Sequence, residues 1–119
     1  MKPEYNFSNG KKILKKASED FPNGSGIYKF LDSDNKTLYV GKAKDLRKRI
    51  SSYLNEKNIT NRIKALISLT DKIVFIKTPS EIDSLILENN LIKELKPKFN
   101  IRLMDDKGFP FIIIEKSNN

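Results

Sequence analysis

The stretch GIYKFLDSDNKTLYVGK, from Gly26 to Lys42, decides how this chain folds. Its two apolar runs, Ile27 to Leu31 and Leu38 to Val40, are rich in aromatic and β-branched residues, a composition typical of strands. The segment between them, Asp32 to Thr37, is polar and contains the turn formers Asp, Ser and Asn. Two short strands joined by a polar turn predict a β-hairpin.

A helix is predicted directly after the hairpin. Gly41 ends the second strand, and between Lys42 and Tyr53 the apolar residues Leu46, Ile50 and Tyr53 recur at positions i, i+4 and i+7. This spacing aligns them as one stripe along a helix.

On the N-terminal side of the hairpin, Ile13, Leu14 and Ala17 predict a short amphipathic helix within Lys11 to Asp20. The turn formers of Phe21 to Gly26 interrupt it. The structured core is therefore expected to begin after this helix.

On the C-terminal side, the pattern predicts a helix over Asn61 to Leu69 and a strand over Lys72 to Lys77. That strand is apolar enough to be the central one. A last apolar run, Phe109 to Glu115, predicts a terminal strand.

The clearest helix start in the chain is TPSE, residues 78–81. Thr78 can cap the helix, Pro79 suits the first helical position, and Glu81 can complete a capping box. The helix is expected to run to about Leu95, because a proline two residues later forces the residue before it out of helical geometry.

Composition narrows the possible functions. The chain has 119 residues, enough for one domain, and its 23 Lys and Arg against 15 Asp and Glu give a net charge of +8. Such an excess favours nucleic acid or another anionic partner. The absence of Cys and His excludes zinc fingers, disulfides and imidazole-based catalysis. With no apolar run of membrane-spanning length and no signal-peptide core, a cytoplasmic location and no membrane partner are expected.

A basic cluster occupies the predicted helix after the hairpin. Seven residues apart, Lys42 and Arg49 lie nearly in line on a helix, and Tyr53 shares their face. That face borders the apolar stripe, which predicts a cationic site for a phosphate, with Lys44, Arg47 and Lys48 pointing to solvent. The alternative is an ordinary basic surface helix.

Glu88 lies on the apolar stripe of the last predicted helix, with Ile82, Leu85 and Ile92. A carboxylate there is costly unless it is paired or binds a cation. It is therefore a metal ligand or catalytic carboxylate, or else a rim residue or the partner of a Lys or Arg. Asn89 is expected to face inward as well.

Tyrosines complete the set of candidate residues. Tyr28 and Tyr39 lie on the two hairpin strands and Tyr53 on the helix beyond them. Most strand tyrosines simply pack. A cation nearby, such as Lys42 or Arg49, is expected to lower a phenol's pKa from its usual value near ~10.

The ordered motifs carry a family resemblance. Gly26-Ile27-Tyr28 and Tyr39-Val40-Gly41 resemble the two halves of the GIY-YIG nuclease signature, with Val40 in place of Ile. The longer strings YVGKAKDLRKR (39–49), LENNLIK (87–93) and KPKFN (96–100) are similar to the N-terminal nuclease domain of the UvrC family, and the resemblance spans residues 21–114. The stretch Asn23-Gly24-Ser25 departs from the Pro-Gly that often precedes the first motif.

The resemblance implies an α+β fold, a small three-stranded antiparallel sheet flanked by helices, with one Mg²⁺ or Mn²⁺ ion. It implies that Glu88 binds the metal, that Tyr39 is the general base, and that Arg49 steadies the phosphate. The implied catalytic residues are Tyr28, Tyr39, Lys42, Arg49, Tyr53 and Asn100, and the basic residues expected to contact DNA are Lys42, Lys44, Arg47, Lys48 and Arg49.

The resemblance also implies an organisation and a reaction. Residues 1–20 are expected to be a helical extension, 21–104 the nuclease domain, and 105–119 a strand and tail leading to downstream domains. The implied reaction is the 3′-side incision of bacterial nucleotide excision repair, made on DNA with a UvrB-type damage-verifying partner, and the isolated domain is expected to be a monomer. The alternatives are a stand-alone structure-specific GIY-YIG nuclease and a non-catalytic DNA-binding adaptor.

Overall fold

A computed structural model of the chain describes residues 6–100. The elements in chain order are α1 (Phe7–Asp20), β1 (Gly26–Leu31), β2 (Thr37–Ala43), α2 (Leu46–Ser52), a 3-10 turn (Glu56–Asn58), α3 (Asn61–Leu69), β3 (Lys72–Lys77) and α4 (Glu81–Leu95). The α+β class and the hairpin are as predicted. Within residues 6–100, no helix is long and apolar enough to cross a membrane. The strand predicted over 109–115 lies outside the described residues.

The three strands form one antiparallel sheet in the order β2-β1-β3. Strand β1 is therefore central, and the prediction that β3 is central was wrong. The apolar composition of β3 does not reflect burial on both faces, because Phe75 and Ile76 remain 39% and 42% exposed. In the register, Tyr28 lies between Gly41 of β2 and Phe75 of β3.

One face of the sheet carries Tyr28 and Phe30 into a core shared with α1, α2 and α3. Leu14 of α1 is fully buried in this core. Helices α1 and α3 approach so closely that a Cβ on Gly10 would lie 2.0 Å from the Ile67 carbonyl oxygen. The core thus includes the first helix, contrary to the expectation that it begins after that helix.

Helix α4 packs on β1 and β2. It covers the opposite face of the sheet, where Ile27 and Val40 are fully buried. Ser80 rather than Thr78 caps it, since the Ser80 hydroxyl accepts a hydrogen bond from the Asp83 N–H at 3.3 Å. The helix ends at Leu95, as predicted.

The buried stripe of α4 differs from the predicted one. Ser84 is buried at its centre, whereas Ile82 and Leu85 are 69% and 43% exposed. Asn89, expected to face inward, is exposed. Apolar residues occur on both sides of this helix, so their spacing alone indicated the wrong face. Glu88 nevertheless lies at the edge of the buried side and is half-buried.

Candidate active site

Three side chains meet at the inner face of the sheet next to α2. Tyr28 is fully buried, and its hydroxyl oxygen lies 2.6 Å from that of Tyr53. Arg49 Nε donates to the Tyr28 hydroxyl at 3.3 Å, and the guanidinium carbon lies 5.5 Å from the Tyr53 ring centroid. The predicted grouping of Arg49 with Tyr53 is therefore confirmed, and Tyr28 joins them.

Tyr39 extends this group toward solvent. Its ring centroid is 6.3 Å from that of Tyr28. Together with Arg49 and Tyr53, Tyr39 lines an open pocket of about 390 Å³. The pocket is also lined by Ser52, Asn58, Thr60 and Ile63. Sequence reasoning did not assign these residues to the site, because none of them is charged or aromatic and their place beside Tyr39 is set by the fold.

Gly41 makes room for the tyrosine group. A Cβ on Gly41 would lie 2.4 Å from both the hydroxyl oxygen and the Cζ atom of Tyr28, well inside contact distance. The second motif therefore requires glycine at this position so that the Tyr28 ring can cross the neighbouring strand.

The pKa values of Tyr28 and Tyr39 move opposite to the expected direction. Burial, followed by repulsion from the other tyrosines, raises the pKa of Tyr28 well above its ordinary value. Burial also raises the pKa of Tyr39, and the attraction of Arg49 offsets only part of that rise. Conversely, attraction to Tyr28 and its hydrogen bond raise the pKa of Arg49, which keeps the guanidinium charged.

Lys42 is not on the helix, contrary to the prediction. It lies on β2, and α2 begins only at Leu46, where the Asp45 side chain caps it by accepting from the Lys48 N–H at 3.3 Å. Because side chains alternate along a strand, Lys42 points to the opposite face of the sheet from Tyr39. The shared helical face with Arg49 therefore does not exist.

Lys42 instead lies beside Glu88. Burial raises the pKa of the Glu88 carboxyl, while the Lys42 ammonium and its backbone N–H lower it by a smaller amount. Glu88 is also close enough to Tyr39 for its charge to raise the pKa of that phenol. Glu88 thus approaches the tyrosine pocket around the outer edge of β2.

This carboxylate fits a hard divalent cation. It is partly desolvated and only partly compensated by Lys42, so a bound cation would relieve its electrostatic cost. Residues 6–100 contain no group of three or more acidic side chains that could hold a metal together. A single carboxylate nevertheless suits Mg²⁺, which keeps several waters and takes few protein ligands.

Asn100 is bonded to β2 in the structure, and the catalytic role that the resemblance implied for it stays a prediction. Its Oδ1 accepts from the Val40 N–H at 2.8 Å, and its Nδ2 donates to the Val40 carbonyl at 2.9 Å. Both polar atoms of the buried amide are therefore used to hold β2, so Asn100 positions the strand that carries Tyr39.

The basic cluster divides into two kinds of residue. Lys44 and Lys48 are exposed, as predicted. Arg47 is exposed as well, as predicted, but its guanidinium also donates to the Phe21 and Glu19 carbonyls at 2.7 and 3.1 Å. Its contact with DNA stays a prediction.

Known proteins are similar to this chain in sequence. The UvrABC system protein C of Bartonella henselae is 46% identical over 105 residues, covering 88% of this chain and 16% of that protein. The protein of the same name from Helicobacter hepaticus is 49% identical over 106 residues, covering 82% of this chain and 17% of that protein. This chain therefore spans about one sixth of the length of these curated relatives.

A solved structure matches the fold. The GIY-YIG N-terminal endonuclease domain of UvrC from Thermotoga maritima, bound to its catalytic magnesium, superposes with a TM-score of 0.66 at 34% identity. The match covers 72% of this chain and 93% of that one. Variants of the same domain with single tyrosine-to-phenylalanine or asparagine-to-alanine changes also match.

The family described as "UvrC-like GIY-YIG domain" matches this chain over residues 24–101. That range contains the pocket, Glu88 and Asn100. With the fold, the site and the similar sequences in agreement, the chain belongs to the UvrC-like GIY-YIG domain family.

Proposed function

We propose that this chain is a divalent-metal-dependent DNA endonuclease domain that hydrolyses one phosphodiester bond. The observation that carries the proposal is the pocket in which Arg49 and Tyr39 face the same space, with Glu88 at the edge of the strand that carries Tyr39. This arrangement supplies a cation for the phosphate, a phenol for proton transfer and a carboxylate for a metal ion. The solved structures that share this fold are named as endonuclease domains.

Within this proposal, Tyr39 is the general base. Its phenolate accepts a proton from water as the water oxygen forms a bond to phosphorus, and the bond from phosphorus to the leaving oxygen breaks. Arg49 binds the phosphoryl oxygens, on which negative charge grows, and its planar fork suits them. Tyr28 and Tyr53 orient Arg49 through the bonded pair of hydroxyls.

Glu88 would hold the magnesium or manganese ion, and Lys42 adjusts the charge around that carboxylate. When bound, such an ion stabilises the charge on a leaving oxygen as a Lewis acid. Lys44 and Lys48 supply exposed positive charge for the DNA backbone.

In the setting of the longer relatives, we assign the domain to the 3′-side incision of nucleotide excision repair. DNA opened at a lesion by a UvrB-type partner is then its substrate. The identity of more than 40% to proteins named UvrABC system protein C supports this assignment over a stand-alone structure-specific nuclease. The arginine held against buried Tyr28 and Tyr53 at an open pocket supports an enzyme over a DNA-binding adaptor.

Nicking of supercoiled plasmid tests the activity directly. The chain is incubated with Mg²⁺, with Mn²⁺, or with chelator, and Arg49→Ala is run beside it. Nicking that needs metal and is lost in Arg49→Ala supports the nuclease. Binding to plasmid without nicking under all conditions would identify an adaptor instead.

The repair assignment needs a second substrate comparison. A lesion-containing duplex, presented with and without the damage-verifying partner, is compared with branched DNA of equal length. Incision 3′ to the lesion that depends on the partner supports the repair role. Preference for branched DNA would favour the stand-alone nuclease.

A further inference from the structure

Arg47 makes three hydrogen bonds to the segment in which α1 ends. Its Nε donates to the Phe21 carbonyl at 2.7 Å and its Nη2 to the Glu19 carbonyl at 3.1 Å. Its backbone N–H donates to the Pro22 carbonyl at 3.1 Å. One residue of α2 therefore binds three positions in and after the last turn of α1.

The chemistry of a helix end explains why an arginine is suited to this place. The last carbonyls of a helix lack partners within it and carry partial negative charge. A guanidinium can bind two of them with N–H groups in a fixed plane, whereas a lysine ammonium lacks that geometry. Although Arg47 is exposed, its Nε and Nη2 groups are thus matched to two protein carbonyls.

Other bonds fix the start of α2 to the same segment. The Leu46 N–H donates to the Gly24 carbonyl at 2.9 Å. The Asn23 amide donates to both carboxylate oxygens of Asp45, at 3.0 and 3.1 Å. This contact accounts for Asn23, the residue that departs from the family pattern, since it holds the cap of α2.

Helix α2 depends on such contacts because it is only seven residues long. A helix of this length is unstable by itself in water, so its position is set by what it packs against and bonds to. The same helix carries Arg49 and leads into Tyr53. On a helix, residues two apart point in nearly opposite directions, so Arg47 faces away from the pocket that Arg49 lines.

We propose that Arg47 is a positioning residue, which fixes α2 against the end of α1 and thereby holds Arg49 on Tyr28, and that it does not bind DNA. The expected effect of Arg47 on cleavage rests on the proposed nuclease function. Its effect on the placement of Arg49 is independent of that function.

The kinetic test compares Arg47→Ala, Arg47→Lys and the charge-matched control Lys12→Ala, which removes an exposed cation from α1. Arg47→Ala is expected to lower kcat for plasmid nicking by about 10- to 100-fold, as displacement of a reacting group does. KM should stay within about twofold of the wild-type value, and the slope of log affinity against log salt should be unchanged. Arg47→Lys should recover part of kcat, and Lys12→Ala should match wild type.

A DNA contact gives the opposite pattern. Loss of one phosphate contact lowers the slope of log affinity against log salt by about 0.7 to 0.9. A reduced slope and raised KM with unchanged kcat in Arg47→Ala would overturn the proposal.

The placement of Arg49 is followed by NMR without any cleavage. In wild type, the Arg49 Nε–H should be slow to exchange with water, because it is bonded to the Tyr28 hydroxyl. In Arg47→Ala and, more weakly, in Arg47→Lys, this signal should shift and exchange faster at temperatures well below melting. An unchanged Arg49 signal in folded Arg47→Lys and Arg47→Ala would refute the positioning role. If wild type does not nick DNA but the signal responds, the nuclease proposal fails and the positioning proposal stands.

Discussion

The hydroxyl oxygens of Tyr28 and Tyr53 lie 2.6 Å apart, and the Tyr28 side chain is fully buried. The two hydroxyls are hydrogen-bonded to each other, and the Tyr28 hydroxyl also accepts a bond from Arg49 Nε. The contact between the two hydroxyls therefore belongs both to the buried core and to the site that contains Arg49. A change to either tyrosine acts on stability and on the position of Arg49 together.

A double-mutant cycle on this pair should be strongly non-additive. Tyr53→Phe leaves the Tyr28 hydroxyl without its closest partner and should cost about 1 to 3 kcal/mol of unfolding free energy. Replacing both tyrosines by phenylalanine removes both polar groups. The double variant should therefore lose clearly less unfolding free energy than the two single variants lose when their losses are added. Urea unfolding of the four proteins measures this. Strict additivity would mean that the two hydroxyls do not interact.

Tyr39→Phe should leave the fold intact and reduce nicking by about 10² to 10⁴-fold, the usual contribution of a general base. The same melting temperature as wild type is the control for folding. Full activity in this variant would move the base to Tyr28 or Tyr53.

The pH profile of nicking follows from the raised pKa of Tyr39. A raised pKa leaves only a small phenolate fraction near neutrality, and that fraction grows about tenfold per pH unit below the pKa. The rate should therefore rise between about pH 6 and pH 9 without a plateau. A plateau starting near pH 7 would contradict the role of Tyr39.

Glu88→Gln should raise the melting temperature slightly in chelator. In the folded chain, burial raises the pKa of Glu88 despite Lys42, so the charged carboxylate costs stability above that pKa, and the neutral amide removes the cost. The variant should also lose any Mg²⁺-dependent stabilisation and all nicking, because an amide is a poorer ligand for Mg²⁺. The exposed Glu94→Gln on the same helix is the control and should behave as wild type. A lower melting temperature in chelator with intact nicking would identify Glu88 as a partner of Lys42 only.

Gly41→Ala should be destabilising by about 1 to 3 kcal/mol, the usual cost of overpacking. The added methyl group would lie 2.4 Å from the Tyr28 hydroxyl oxygen, so the ring must move and Arg49 loses its acceptor. Thermal melting and nicking are both expected to fall. Ser33→Ala, in the exposed hairpin turn, controls for strand pairing. Wild-type nicking in Gly41→Ala would show that the position of Tyr28 does not matter.

DNA binding should weaken as salt rises, because lysine contacts release counterions from phosphates. Lys44→Ala and Lys48→Ala should each reduce the affinity for every sequence alike. Fluorescence anisotropy over a range of salt concentrations tests this, and an affinity independent of salt would exclude an electrostatic interface.

Elements with strong local signals could be predicted from the sequence. Helix α3 and strand β3 have the predicted bounds. The amphipathic period identifies the helix, and the run of apolar and β-branched residues identifies the strand. The predicted start of α2 at Lys42 was wrong, because the helix begins only after its cap, Asp45. Its side chain caps the helix three residues after Lys42, with the help of the distant Asn23.

The contacts that were not predicted join distant parts of the chain. The bonds of Asn100 to Val40 span 60 residues, and those of Arg47 to the end of α1 span 26 and 28. The sequence alone does not distinguish a basic residue that binds protein carbonyls from one that binds a phosphate. The direction of the tyrosine pKa shifts was missed for the same reason, since burial is a property of the folded chain.

The pair of bonds between Asn100 and Val40 also affects how β2 meets other proteins. A side-chain amide has the donor and acceptor of a peptide group, so Asn100 acts as a single residue of a neighbouring strand. An open strand edge is a template for pairing with another chain, and proteins commonly block such edges. Asn100 occupies the N–H and carbonyl of Val40 on β2, the edge strand that carries Tyr39. These two groups are then not available for pairing with a strand of a second molecule.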